Sequence, residues 1–545
     1  TAMPTASTPT AEPLWRKRLR RMIGQARPKG RAGFVLPLRP QIFAVGLLAL
    51  AALLLQPSVA AAQATPDSVA TQIKASADGK LRDFYRTRGY WPLWVREGKV
   101  GPEADRLIQL IETSRLDSLD PGDYDLKDLR KSLEAARSGT PAALAAAEME
   151  LSQTLANYVR DLRRPSTIKI SYLDQELIPV RPSQADVLRA AALAPSFHDY
   201  VENAAWMSPI YVRLRDALAS YPERWGRLPL VAIPSGPKMR TGSKDSRVRL
   251  LRRRLGFAEG TKFDKPLAAK LREFQADHGL QADGIAGDTT VAALNRGPAY
   301  YTGLLRLNLE RAKLLPSAYT RHIVVNAAAA RLWTYEKGKE QDTMKVIVGK
   351  PNEQTPMLAG MMRYATLNPY WNVPSDLVRN RIAPKVLNGA SFAKMNYQAL
   401  ADWSTNPQVI DPVAIDWSAV AQGRQNLRIR QLPGKTNAMG RVKFMFPNDL
   451  GIYLHDTPDK ALFKEKQRWF SSGCVRLEDA PRLGKWLFGK PMAASSDEPE
   501  QHVPLPDGVP VYLTYLTASP TESGIEFLQD GYGRDAAQMR RIAGR

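Results

Sequence analysis

Cysteine is almost missing from this chain: Cys474 stands alone among 545 residues. No internal disulfide can form, and zinc sites built from clustered thiolates are excluded. Histidine is scarce too, with only His198, His278, His322, His455 and His502 and no H-E-x-x-H run, so no metal and no cofactor is expected. Acidic residues are outnumbered, 54 Asp and Glu against 77 Lys and Arg, for a net charge of +23. That surplus favours anionic partners, and nucleic acid, a membrane surface and a carboxylate-rich polymer all qualify on charge alone. One long apolar run exists, Ile42 to Leu55, and it is short for a membrane span.

The run has a telling context. Residues 16–31 hold eight basic residues and no acid, and Ala62-Gln63-Ala64 follows as a small-residue cleavage pattern. Residues 1–64 therefore read as a signal peptide or, if uncleaved, as an anchor that contacts the inner membrane with its basic side in the cytoplasm. Either way the bulk of the chain is exported. Export removes nucleic acid as a partner and favours an envelope polymer. It also makes a lone thiol in an oxidising compartment something to be explained.

Residues 65–227 read as helical: Leu144, Leu151, Leu155, Tyr158, Val159 and Leu162 recur at helical spacing, and Asp120-Pro121-Gly122-Asp123 is turn chemistry. A Pro-, Gly- and Ser-containing linker spans 228–244. Residues 245–297 carry three apolar stripes: Val248, Leu251 and Leu255; then Leu267, Leu271 and Phe274, ending at Gly279; then Val291 and Leu294, with Asp288 or Thr289 as the cap. His278 reads as a surface or capping histidine. From 319 the period becomes that of strands, as in H-I-V-V-N and R-L-W-T-Y-E, and continues to 516. An irregular, partly helical stretch at 375–440 interrupts it and reads as an inserted lid, and 517–545 reads as a polar tail.

The chemistry gathers late. In G-I-Y-L-H-D, 451–456, alternation puts Ile452 and Leu454 toward a core and Tyr453 and His455 toward a cleft or solvent. Nineteen residues after His455 comes Cys474, in S-S-G-C-V-R. A thiol needs a base or a positive neighbour to react, and histidine suits the task. Gly473 allows an unusual backbone angle and close approach. Backbone N–H groups around Gly473 and Cys474 could hold an oxyanion, and Arg476 could hold a carboxylate.

H-D-T-P, a spacer and S-S-G-C-V-R together resemble the active-site signature of the bacterial L,D-transpeptidases with a YkuD-type catalytic domain. R-Q-L-P-G at 430–434 and N-A-M-G-R-V-K-F-M-F-P-N at 437–448 resemble the large multi-domain Gram-negative branch. Residues 245–297 resemble the small three-helix peptidoglycan-binding domain. The resemblance implies a multi-domain α+β protein of the periplasm, with a helical scaffold and a mixed, β-sandwich-like catalytic domain bearing a capping insertion. It implies that Cys474 attacks a diaminopimelate carbonyl in a tetrapeptide stem, expels D-alanine and passes the thioester to a second stem as a 3→3 cross-link. His455 would be the base. Tyr453 and Trp371 match positions lining the donor pocket, and Ser472, where many members carry His, would shape the loop or touch substrate. Wall synthases are candidate partners, and carbapenems would acylate Cys474.

Other readings share these residues. The thioester could pass to water, to a glycine-like amine or to a protein lysine. A non-catalytic wall-binding scaffold would use only 245–297 and the basic surface, but such a chain has no need to keep both His455 and Cys474.

Overall fold

The computed structural model describes residues 65–543, apart from 317–318, 405 and 522–523. The leader expected at 1–64 lies outside the described residues. Among the described residues no helix is long and apolar enough to cross a membrane.

Residues 65–227 form a helical body around α1, Pro141–Leu162, which starts with Pro at its first turn and buries Leu144, Leu151, Leu155, Tyr158, Val159 and Leu162. Glu148 on this helix is fully buried, and its carboxylate accepts the N–H groups of Leu93, Trp94 and Val95 and the Tyr85 hydroxyl. That arrangement is how an aromatic-rich loop is fastened to a helix without leaving a buried charge unpaired. Trp94 and Tyr85 are fully buried here, as packing rather than as a groove.

The next unit holds α2, Val248–Arg254, and α3, Lys265–Asp277, whose first turn is capped by Asp264 accepting from Leu267 N–H. The third helix, α4, Asp288–Ala312, begins after Gly287 rather than with a side-chain cap, and kinks at Gly297 (φ 76°) before Pro298. Its second half runs past the expected end of the unit at 297. His278 is not a surface residue. It is buried, stacked on Phe274 at 3.8 Å and hydrogen-bonded to the Tyr221 hydroxyl at 3.1 Å, because the scaffold and the C-terminal segment pack over it. The 228–244 stretch is tied down as well: Arg247 donates to Pro234 O, and Met239 bridges Ala286.

The strands are β1 Ser171–Tyr172, β2 His322–Asn326, β3 Arg331–Glu336, β4 Lys339–Gly349, β5 Leu358–Leu367, β6 Val442–Met445, β7 Leu454–His455, β8 Trp469–Ser471, β9 Val475–Leu477 and β10 Gln501–Thr514. They pair in the order β6-β7-β9-β4-β3-β2-β10-β5, and β6 pairs with β5 as well, so the sandwich-like sheet is closed on itself. Along β5 one edge belongs to β10. The other is shared between β6 and the scaffold strand β1, so no long edge is left open. Alternation explains the uninterrupted apolar run of β2. Ile323 and Val325 face the interior cluster with Leu454, Val475 and Leu513, while Val324 faces out against the helices.

The insertion leaves β5 and returns on β6, whose Val442 pairs with Leu367. It begins before 375. Trp371–Val373 is already the edge strand of its own four-stranded sheet, with Arg428–Gln431, Tyr397–Leu400 and Val409–Ile410. Val378, Ile382, Phe392, Trp417 and Ile429 give it a separate core. The described residues of 517–545, a stretch expected as a polar tail, are folded. They make a hairpin of Ala518–Thr521 with Gly524–Phe527 and a helix α5, Asp535–Ala543. They are retained because Asp535 pairs with the fully buried Arg311 at 2.8 Å.

Candidate active site

The site rests on a parallel pairing of β7 with β9, Leu454 opposite Val475 and His455 opposite Arg476. Leu454 and Val475 are fully buried in the barrel interior. Alternation therefore sends Tyr453, His455, Cys474 and Arg476 to the other face. Val475 N–H donates to Tyr453 O at 3.1 Å, which carries the pairing back to Tyr453 and Cys474. A separation of nineteen positions in sequence thus becomes adjacency of the two strands. His455 is more deeply set than alternation suggested, only 2% exposed. The loop after it folds back across the sheet, with Lys460 bonded to Asp456 at 2.8 Å and to the carbonyls of Leu477 and Glu478.

The resting charges follow from this burial. His455 is held neutral, its pKa lowered to about 3 by burial and then by the Arg476 charge. Its Nδ1 lies 2.6 Å from Asp456 O. A carbonyl only accepts, so Nδ1 carries the proton and Nε2 is the basic nitrogen. Burial pushes the Cys474 thiol up to about 11, against the lowering effect of hydrogen bonds from Tyr453. The thiol lies 3.4 Å from Gly451 O, to which it donates. Burial and then the neighbouring Cys474 raise the Tyr453 hydroxyl. The pair at rest is a neutral thiol and a neutral imidazole. Arg476 is half-buried, and its ion pair with Asp459 spans 3.9 Å, beyond hydrogen-bond reach.

The Cys474 loop is shaped by Gly473 at φ 113°, a region that side-chain-bearing residues avoid. Gly473 N–H is directed at Ser471 Oγ at 3.2 Å, and Ser471 Oγ donates to Cys474 O at 2.6 Å. Ser472 is exposed, and its hydroxyl bonds Glu353, whose carboxyl is held low by Lys350 first and by Ser472 next. Trp371 sits apart from these strands. It opens the edge strand of the insertion, opposite Gln431, and packs on the insertion's cluster near Tyr397, ring centroids 6.4 Å apart.

Two contacts were not read from the sequence. Thr355 Oγ1 donates to Gly473 O at 2.8 Å, and the Tyr532 hydroxyl donates to Gly349 O at 2.7 Å while accepting from Thr355 N–H. Neither residue belongs to a chemistry-bearing motif, and the one available signal was the polar P-N-E-Q-T-P turn at 351–356 after a long strand. Among the described residues no group of three His, Cys, Asp or Glu could hold a metal ion.

Residues 320–496 match the model of the L,D-transpeptidase catalytic domain (YkuD), residues 79–218 that of the scaffold domain, and residues 246–294 one described as "Putative peptidoglycan binding domain". A Haemophilus influenzae protein named "Putative L,D-transpeptidase" is 31% identical over 241 residues, 43% of this chain and 48% of that protein, so the chain spans about half the relative's length. Two solved structures are each 14% identical. The Ldtfm–avibactam carbamoyl enzyme covers 37% of this chain and 50% of its own with a TM-score of 0.17, and an L,D-transpeptidase from Xylanimonas cellulosilytica covers 51% and 98% with a TM-score of 0.15. At these scores the likeness is too weak to define the fold. The stretch 320–496 is thus similar to L,D-transpeptidase catalytic domains of the YkuD type. In the same chain it stands beside stretches that match the scaffold and peptidoglycan-binding models.

Proposed function

We propose that the protein is an exported, periplasmic peptidoglycan L,D-transpeptidase with Cys474 as nucleophile, forming 3→3 links between diaminopimelate residues of two stems. One observation carries this reading. Cys474, Tyr453, His455 and Arg476 share one face of a parallel strand pair, inside the stretch that matches the catalytic-domain model.

The steps follow from the resting charges. With the thiol neutral, its proton leaves as the sulfur–carbon bond forms, and His455 Nε2 is the basic nitrogen suited to take it. Negative charge builds on the carbonyl oxygen. Gly473 N–H is already engaged with Ser471, which leaves Cys474 N–H as the candidate oxyanion donor. The bond to D-alanine breaks and the leaving amine takes the proton from the imidazolium. The side-chain amine of the second stem then attacks the thioester, and the thiol regains a proton. Arg476 holds a substrate carboxylate, Tyr453 and Trp371 line the donor side, and Ser472 shapes the loop. Residues 245–297 would hold the wall polymer while the insertion caps the donor. These steps need no cofactor.

The test is the wall itself. In a strain that relies on this protein for such links, Cys474→Ala should abolish 3→3 dimers in digested wall read by mass spectrometry, and unchanged dimers would sink the proposal. A product mixture dominated by tripeptides would instead assign water as the acceptor. Intact mass after carbapenem should show one adduct on the wild type and none on Cys474→Ala.

A further inference from the structure

The peptide unit between Gly473 and Cys474 is planar, so the direction of the Gly473 carbonyl dictates the opposite direction of the Cys474 N–H. Glycine at φ 113° restrains that plane less than any other residue would. Something else must hold it. Thr355, 1% exposed, does so: its hydroxyl donates to Gly473 O at 2.8 Å and accepts from Gly349 N–H at 2.9 Å.

Thr355 is in turn held by the C-terminal segment. The Tyr532 hydroxyl donates to Gly349 O at 2.7 Å and accepts from Thr355 N–H at 3.4 Å. Arg534 donates to Gln354 Oε1 at 2.9 Å and to Thr355 O at 3.1 Å, and Gln354 Nε2 returns a bond to Tyr532 O at 3.1 Å. Tyr532 stacks on Tyr515 with ring centroids 4.9 Å apart and 9° between planes, and its N–H donates to the Tyr515 hydroxyl at 2.9 Å. A Cβ on Gly531 would fall 2.2 Å from the Trp469 ring, so the segment lies flat on β8, the strand that leads into the nucleophile's loop. At its other end Phe527 stacks on His278 at 5.3 Å, against the 245–297 unit.

We infer that residues 527–535, beyond the stretch that matches the catalytic-domain model, brace the nucleophile's loop, and that Thr355 and Tyr532 are positioning residues that aim the Cys474 N–H at the developing oxyanion. The inference rests on Cys474 as the acyl-accepting thiol of the proposed function, but not on the identity of the donor or acceptor stem.

The experiment compares two reactions of Cys474 in the full chain. One is the burst of p-nitrophenolate from p-nitrophenyl acetate, which forms an oxyanion. The other is alkylation by iodoacetamide, which does not. Thr355→Val should slow the burst at least about tenfold while alkylation stays within about twofold, since misaiming an oxyanion donor costs part of what its removal costs. Tyr532→Phe, which keeps the ring stack on Tyr515, should slow the burst about threefold, and Thr355→Ser should restore it to within about twofold of wild type. Burst and alkylation falling in parallel, Thr355→Ser as slow as Thr355→Val, or all three variants matching wild type would each overturn the inference. Should Thr355→Val fail to fold, Tyr532→Phe and Thr355→Ser decide by the same readouts. Neither probe contains a wall stem, so an enzyme that made no 3→3 links would still give this answer.

Discussion

His455 lies across the parallel strand pair from Arg476, and the guanidinium adds to burial in holding the imidazole neutral. The relationship is one of restraint: a neutral imidazole and a neutral thiol, the resting state from which the proposed attack on a carbonyl would start.

The first prediction concerns that thiol. With Cys474 pushed up to about 11, iodoacetamide alkylation should be slow at pH 7 and rise about tenfold per pH unit through pH 9 to 10. A rate already level at pH 7 would mean a resting thiolate–imidazolium pair and would refute the neutral resting state.

Arg476 is expected to serve both substrate and base. Arg476→Gln should raise the donor KM about tenfold, in line with a charge-assisted bond of about 1.5–3 kcal/mol partly screened by solvent. The same change removes a like charge from beside His455, so its pKa should move up from about 3. Kinetics with a stem tetrapeptide and NMR titration of the imidazole read the two effects separately.

Acid should destabilise the fold. His455 and His278 are lowered to about 3 and His322 to about 4, in each case chiefly by burial. The unfolded chain binds protons near pH 6.5 and the folded one does not, so stability falls as pH drops from about 6.5 toward 3 or 4. Each histidine adds up to about 1.4 kcal/mol per pH unit in that window. Chemical denaturation at pH 7 and pH 5 should show the loss, and His278→Phe should flatten the slope by close to one proton.

Gly473→Ala tests the loop geometry. The new Cβ would meet Ile452 Cδ1 at 3.1 Å with φ at 113°, so the loop must shift. We expect a stability loss of about 1–3 kcal/mol and a burst with p-nitrophenyl acetate reduced by more than tenfold. Wild-type rates in a folded variant would show that the φ angle is not required.

The insertion should be separable. It has its own core, and Asn368 N–H donates to Arg441 O at 3.1 Å where it leaves and returns. Replacing 370–440 by a short turn should leave a cooperative thermal transition for the barrel while the donor KM rises. Loss of cooperative unfolding would show instead that the insertion completes the barrel.

What the sequence determined by itself was local. Period and punctuation are short-range properties, so the helical scaffold, the strand runs and an intervening irregular stretch were legible from apolar spacing. Tyr453 and His455 sharing a face followed from strand alternation, and the unusual backbone angle of the S-S-G-C-V-R loop followed from Gly473. The tertiary structure decided everything that depends on residues distant in the chain. Closure of the barrel by β6 on β5 needs strands seventy-odd residues apart to meet. His278 became a core residue because Tyr221 and Phe527 cover it. Trp371 went to the insertion's sheet, whose edge no local pattern announces. The polar stretch after 516 is held by buried partners it does not itself contain: Arg311 for Asp535, Gly349 and Thr355 for Tyr532. Hydrophobic periodicity shows which face of an element is buried, but a buried hydrogen bond depends on a partner's position in space, and only the folded chain supplies that.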